Sequence, residues 1–288
     1  MLTVLAPAKI NLTLEVLAER SDGFHEIRSV IQTINLCDSL NLQLSPNIEF
    51  KSSMPDLVPE ESLISKATSL LRQATGCSKG AAIEVTKRIP LVSGLGGDSS
   101  DAAAILCGLN ELWGLGLSRL KLVELASQLG SDVAFFVYGG TAVVRGRGEV
   151  VNPLPPLPRR WVVVMMPAVP RMERKTERLY ARLKASYYTD GQVTEGLVAL
   201  LNRGGEVMPS SLFNVFDGIA RDSFTGLGEY WQRFVEAGTQ EVHLAGSGPA
   251  LFTLIRDRAE AERLYRSLQQ RGLESYVVET MAAIDDLV

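Results

Sequence analysis

The chain has 288 residues, 46% of them hydrophobic and 22% charged, with a formal net charge of -4. This composition supports a globular protein with a sizeable core and, by length, about two domains. It disfavours a nucleic acid as partner, because such binders are usually basic, so any phosphate site must be built from local features. Three scattered cysteines, Cys37, Cys77 and Cys107, form no C-x-x-C pair. They fit a reducing compartment and argue against a disulfide framework or a zinc site. No signal peptide is expected at a start that runs straight into Leu2-Thr3-Val4-Leu5, and no apolar run reaches the length of a membrane span. A cytoplasmic protein is the expectation.

In chain order, residues 2–5 read as a strand, and residues 10–16 alternate apolar and polar like another. Residues 63–71 have helical spacing. Ile83, Val85 and Ile89 point to a strand. Residues 102–113 predict a helix in which Leu106, Leu109 and Trp113 share one face. The run Asn152-Pro153-Leu154-Pro155-Pro156-Leu157-Pro158 continues neither helix nor sheet, because proline fixes φ and removes backbone donors. It divides the chain into predicted domains at 1–152 and 159–288. Residues 161–166 follow as a buried strand. Helices are predicted over 213–220, 230–235 and 259–269, and strands over 242–244 and 251–255. Helices and strands mix without a regular βαβ rhythm, which predicts an α+β fold.

The segment Pro90-Leu91-Val92-Ser93-Gly94-Leu95-Gly96-Gly97-Asp98-Ser99-Ser100-Asp101-Ala102-Ala103 lies between a predicted strand and a predicted helix. A helix N-terminus carries unpaired N–H groups and partial positive charge. Glycines let the backbone approach a phosphate, and Ser99 and Ser100 can cap the helix or donate to phosphate oxygens. The segment is neither a P-loop, since no lysine follows the glycines, nor a dinucleotide fingerprint, since Ser99 stands where the third glycine belongs. On glycine content alone, a tight turn into a capped helix explains it equally well.

Residues 90–103 resemble the central motif of the galactokinase–homoserine kinase–mevalonate kinase–phosphomevalonate kinase (GHMP) superfamily. Pro7-Ala8-Lys9-Ile10-Asn11-Leu12 resembles its N-terminal motif, and Leu244-Ala245-Gly246-Ser247-Gly248-Pro249-Ala250-Leu251-Phe252 its C-terminal glycine motif. Within the superfamily, the N-terminal motif followed by Arg20-Ser21-Asp22-Gly23-Phe24-His25-Glu26 is similar to the 4-diphosphocytidyl-2-C-methyl-D-erythritol kinase family. Leu129-Gly130-Ser131-Asp132-Val133-Ala134-Phe135-Phe136, the glycines around residues 139–148, and Asn214 agree with that family.

The resemblance implies a two-domain fold, with an N-terminal domain like ribosomal protein S5 domain 2 and a C-terminal ferredoxin-like domain. It implies ATP with Mg²⁺, a cytidine-diphospho polyol as acceptor, and transfer of the γ-phosphate to its 2-hydroxyl. Asp132 would be the base, since a carboxylate accepting the proton helps a poor alcohol nucleophile. Lys9 would pair with it and stabilise the developing alkoxide. Asn11, Phe24, His25 and Tyr180 would hold the substrate, with Phe24 standing where the family usually has tyrosine. Pro90, Gly94, Leu95, Gly96, Gly97, Asp98, Ser99 and Ser100 would hold ATP.

Taken singly, each residue has a plainer reading: Asp132 as a helix cap, Lys9 as a solvated lysine, His25 as a surface histidine, Tyr180 as a core tyrosine. Lys87, Arg88, Arg145 and Arg147 are candidates for local positive charge, with a solvated charge at a strand end as the plainer reading; His243 is expected to be structural, and Gly246, Ser247 and Gly248 to approach the acceptor or close the cleft. Metal ligands are not named by the sequence, though Ser100 is a candidate. Asp98 replaces a loop glycine, and its carboxylate is expected to point away from the phosphates or to meet a cation. Ser62, in the stretch over residues 59–64, stands where many relatives have an asparagine near the adenine. The protein is expected to act as a monomer or weak homodimer. Other readings are a different GHMP kinase, a silent nucleotide-binding protein of the same fold, or an RNA-associated protein, the last lacking basic charge.

Overall fold

The computed structural model describes residues 1–54, 62–239 and 241–283. The first half builds a mixed sheet from β1 (Leu2–Glu19), β2 (His25–Ser45), β3 (Ile48–Ser52), β4 (Gly80–Thr86), β5 (Thr141–Gly146) and β6 (Val150–Pro153). Its spatial order runs β3-β4-β2-β1, with β5 on β2 and β6 on β5. Helices α1 (Leu63–Thr75), α2 (Gly97–Leu112), α3 (Arg119–Ser127) and α4 (Ser131–Tyr138) cover one face, burying Leu71, Ile105, Leu109, Trp113 and Phe135 against it.

After the proline-rich link come β7 (Trp161–Met165), α5 (Lys175–Tyr180), α6 (Gln192–Asn202), β8 (Phe213–Asn214), α7 (Phe216–Ser223), α8 (Leu227–Glu236), β9 (His243–Leu244), β10 (Leu251–Ile255), α9 (Arg258–Gln270) and β11 (Ser275–Glu279). The second sheet has the order β11-β7-β10-β9, antiparallel throughout. With helices between its first and second strands and between its third and fourth, this is the ferredoxin-like arrangement.

β1 joins the two halves. Val4 and Ala6 lie in the core beneath the helices, whereas Ala8, Ile10 and Leu12 lie in a second core with Val162, Val164 and Phe252. The changeover falls where the β1–β2 register shifts between Pro7 and Ala8. There β2 carries two residues, Asn35 and Leu36, with no partner on β1, and such a bulge bends and twists the strand pair, so the apolar side chains pass from one core to the other. Lys9 and Asn11 point to the cavity side; a second register shift between Asn11 and Thr13 then brings Leu14 to that side, and Lys9, Asn11, Thr13 and Glu15 are all buried. Thr13 Oγ1 accepts from Val30 N–H at 3.0 Å, and Glu15 Oε2 accepts from Thr194 N–H at 2.7 Å. A charged or polar side chain is tolerated here because each has a specific partner.

Several elements differ from expectation. α2 begins at Gly97 rather than at residue 102, so Asp98, Ser99 and Ser100 are already helical. Gly96 is its N-cap residue with φ 78°, and no side chain caps it. The helix expected over 213–220 is split. Phe213 and Asn214 pair in parallel with Thr13 and Leu14, and only from Phe216 does the chain turn helical. Tertiary pairing there overrides local spacing. Residues 59–61 lie outside the described residues; Ser62 caps α1 by accepting from Ser65 N–H at 3.4 Å.

Asn214 ties β8 to the C-terminal glycine motif. Its Nδ2 donates to the carbonyls of Leu244 and Gly246, both at 2.9 Å, and its Oδ1 accepts from Phe216 N–H at 3.0 Å. Asn214→Ala leaves three buried backbone groups without this partner and is expected to cost about 3 kcal/mol in urea unfolding. A loss under about 0.5 kcal/mol would contradict the role given to these bonds.

Candidate active site

A cavity of about 1010 Å³ opens between the two halves. Of the residues singled out in the sequence, it brings together Lys9, Asn11, Phe24, His25, Asp132 and Tyr180, and with them Pro90, Gly94, Gly96, Gly97, Asp98 and Ser99. Leu95 and Ser100 do not line it. The Leu95 side chain is fully buried in the second core, and its carbonyl accepts from Lys9 N–H at 2.8 Å. Ser100 N–H is spent inside the helix on Gly96 O at 2.9 Å. Its side chain lines a smaller cavity shared with Leu5 and Cys107, where its Oγ has no partner. Neither group of Ser100 faces the large cavity, which removes the residue's claim as a metal ligand there.

Two glycine loops meet backbone to backbone at the cavity wall. Gly94 has φ 90°, and a Cβ on it would lie 2.0 Å from the carbonyl of Ala245. Gly246 has φ 56°, and a Cβ there would come within 2.9 Å of Lys9 Nζ. Only glycine satisfies both the conformation and the approach. Ala250 N–H donates to Ser93 O at 3.0 Å across the same contact. The C-terminal motif thus closes on the loop that precedes α2 and on Lys9. In front of it, the N–H groups at the first turn of α2, a helix of 16 residues, face the cavity unpaired within the helix. That is an anion site by geometry and dipole.

Lys9 Nζ donates to Asn11 Oδ1 at 2.8 Å and stands 3.6 Å from Asp132 Oδ2. Asn11 Nδ2 donates to Ser29 Oγ at 2.8 Å. Asn11 was expected to orient substrate, but both its polar atoms are engaged inside the protein, so it orients the lysine. Asp132 lies in the first turn of α4, and its carboxylate is 37% exposed. A buried ammonium and an open carboxylate therefore share one corner of the cavity.

Beneath the first turn of α2, Lys87 is buried rather than solvated. Its Nζ meets Asp38 Oδ2 at 2.5 Å and Asp101 Oδ2 at 2.7 Å. Asp38 Oδ1 also accepts from the N–H groups of Arg88 and Ile89. Burial works against the charge on Lys87, but Asp101 and Asp38 outweigh it and hold the ammonium above its ordinary value. Asp98 Oδ1 lies 3.8 Å from the same Nζ, so the loop carboxylate does meet a cation.

At the other end, the His25 ring packs on Tyr180 with centroids 4.8 Å apart, and Tyr180 stands edge-on to Phe216 at 5.0 Å. Burial, and then the Asp132 charge, push the Tyr180 phenol well above its ordinary value. With His25 already in contact, Tyr180 backs the histidine rather than offering a free face. Phe24 is 53% exposed, with the Arg147 guanidinium 4.7 Å from its ring centroid. His243 is structural, its Nδ1 3.0 Å from Asp217 Oδ2.

Residues 62–140 match the GHMP kinases N terminal domain, and residues 197–274 match GHMP kinases C terminal. A 4-diphosphocytidyl-2-C-methyl-D-erythritol kinase of Dehalococcoides mccartyi is 47% identical over 285 residues, covering 99% of this chain and 100% of its own. The chain belongs to the 4-diphosphocytidyl-2-C-methyl-D-erythritol kinase family. A member from Geobacillus thermodenitrificans is 39% identical over 93% of each chain. A crystal structure of 4-(cytidine 5'-diphospho)-2C-methyl-D-erythritol kinase superposes with a TM-score of 0.82 at 33% identity, covering 97% of this chain and 99% of that one. A homoserine kinase from Cytophaga hutchinsonii shares the fold, with a TM-score of 0.73 at 20% identity. Like its family, the protein is an ATP-dependent kinase.

Lys175 was missed in the sequence, because a lysine in Arg174-Lys175-Thr176-Glu177-Arg178 reads as part of a solvated charge run. It is 9% exposed and lines the cavity. Its Nζ donates to Val92 O at 2.8 Å and to Gly248 O. Burial, helped by the charge of Lys9, lowers its ammonium from 10.5 to about 7. Between those values the unfolded chain binds a proton that the folded chain does not, so stability rises with pH. The contribution is complete above about 10.5 and is lost as pH falls through about 7. Urea unfolding is expected to show wild type gaining on Lys175→Met across that window. A constant difference between the two would refute the lowered value.

Proposed function

We propose that the protein transfers the γ-phosphate of ATP to the 2-hydroxyl of 4-(cytidine 5'-diphospho)-2-C-methyl-D-erythritol, a step of non-mevalonate isoprenoid precursor biosynthesis. The observation that carries this reading is the corner where Lys9 and Asp132 meet, 3.6 Å apart, beside the open N-terminus of α2. The hydroxyl oxygen attacks the γ-phosphorus as its proton passes to the Asp132 carboxylate. The bond from the γ-phosphorus to the bridging oxygen breaks, and ADP leaves. Lys9, oriented by Asn11, stabilises charge on the attacking oxygen.

The first-turn N–H groups of α2, with Gly94, Gly96, Gly97 and Ser99, hold the phosphates. Pro90 and Asp98 complete the nucleotide side. His25, backed by Tyr180, hydrogen-bonds the cytosine, and the exposed face of Phe24 stacks on it. Nucleotide-bound Mg²⁺ fits this reading, since that ion is held largely by phosphate oxygens and keeps several waters. It would neutralise the β/γ oxygens. Residues 1–152 supply the nucleotide side, and residues 159–288 complete the acceptor side. The scattered free thiols support a cytoplasmic setting.

An ATP-consumption assay with the cytidine-diphospho substrate beside mevalonate, galactose and homoserine is expected to show turnover of the first alone. Turnover of another, with none of the first, would reject the assignment. Asp132→Ala and Lys9→Ala are each expected to lower kcat by about 10²-fold or more, with ATP affinity changed far less. Near-normal turnover in Asp132→Ala would remove it as the base. Because Asp98 faces Lys87 at a solvent-exposed site, Asp98→Gly should shift ATP affinity by less than about fivefold in a binding titration. Great tightening would mean the carboxylate faces the phosphates.

A further inference from the structure

Of the three lysines buried at the cleft, Lys175 is the least compensated. Lys87 has Asp38 and Asp101 in close contact and Asp98 at 3.8 Å, and Lys9 has an amide oxygen and one carboxylate. Lys175 has two backbone carbonyls, those of Val92 and Gly248, and no ion-pair partner among the described residues. An ammonium carries three donors, so one remains for the cavity that Lys175 lines.

The placement is held under strain. Among the described residues, two non-glycine residues have positive φ: Val92 at 56° and Arg174 at 50°. One supplies the carbonyl that Lys175 grips, and the other is its immediate neighbour. Such conformations, above all for a β-branched residue, persist where surrounding structure enforces them, and they cluster at functional sites. Val92 opens the loop that leads to the α2 N-terminus, and Gly248 belongs to the loop that closes on Lys9. Lys175 therefore stands between the phosphate end and the transfer corner. Thr176, next along, bonds Ser247 through their hydroxyls at 2.9 Å and fixes α5 to the same loop.

We propose that Lys175 is a further phosphate-binding residue of this kinase, whose ammonium turns from the Val92 and Gly248 carbonyls to the phosphate chain of the bound nucleotide. The proposal rests on the kinase reading above. A polyanion favours the charged amine, so nucleotide binding takes up a proton at Lys175. The charged and titratable groups around it are consistent with this. Lys9 on β1 repels a proton in the empty cleft. Asp132 on α4 is engaged by Lys9, and Asp98 on α2 lies by Lys87. On α5 itself, Glu177 pairs with Arg174, and Tyr180 is a buried phenol.

The test is calorimetry of magnesium AMP-PNP binding in buffers of different protonation enthalpy, from about pH 7 to about pH 9. Wild type, Lys175→Met and Lys175→Arg are compared, so that protons exchanged by the nucleotide cancel. Wild type is expected to take up more protons than either variant, the excess growing as pH rises above 7. Lys175→Met should bind roughly tenfold or more weakly, as for a lost charged hydrogen bond. Lys175→Arg, always charged, should keep most of the affinity without the uptake. Equal proton uptake in wild type and Lys175→Met, with affinities within about twofold, overturns the proposal. If Lys175→Met does not fold, equal uptake in wild type and Lys175→Arg overturns it. Failure of wild type to bind the nucleotide overturns the kinase reading too, whereas equal uptake with intact binding removes Lys175 alone.

Discussion

Three buried ammonium groups, Lys9, Lys87 and Lys175, surround the N-terminus of α2 in a chain of net charge -4. Moving an ammonium out of water costs several kcal/mol unless partners restore what hydration supplied. The three are restored to different degrees, and the degree matches what each can do. Lys87, between Asp38 and Asp101, is neutralised and serves as a post under the helix. Lys9 keeps one carboxylate, 3.6 Å away, and so retains attraction for an anion. Lys175 has only carbonyls and holds its charge weakly. A polyanion entering this cleft meets positive potential made locally, by a helix terminus and incompletely paired lysines, while the protein as a whole stays acidic.

That arrangement needs β1 to do two things at once. Its even-numbered residues knit the two halves together, and its odd-numbered residues from Lys9 to Glu15 carry buried polar groups. The register shifts at Pro7/Ala8 and Asn11/Thr13 permit both, because they let the strand change which core its apolar side chains join. The two glycine loops then close on Lys9 from above. Their approach is so tight that a methyl group on Gly94 would overlap the carbonyl of Ala245. Closure of the loops and burial of the lysine are one structural event.

Much of this was legible in the sequence. Three ordered motifs marked the loop, the strand with Lys9 and the C-terminal glycines, whereas the helix that carries Asp132 was not among the predicted elements. The α+β class followed from the element mix. β2, by contrast, was invisible, because its buried Gln32, Thr33 and Asp38 break an apolar pattern. Those residues are satisfied by partners far along the chain: Thr141 lies against Gln32, Gly140 against Thr33, and Lys87 against Asp38.

The sequence by itself determined the family and singled out Lys9, Asp132 and the glycine–serine loop as candidates, since motif spacing is a local property of the chain. Only the tertiary structure decided which of those side chains face one another. It turned Ser100 and Leu95 out of the cleft, set Asn11 to orient Lys9, gave Asp98 its cation, and buried Lys87 and Lys175 where the sequence showed ordinary surface charge. The physical reason is that a side chain's direction and solvation depend on strand register and on contacts with distant segments, and neither is written in its neighbours.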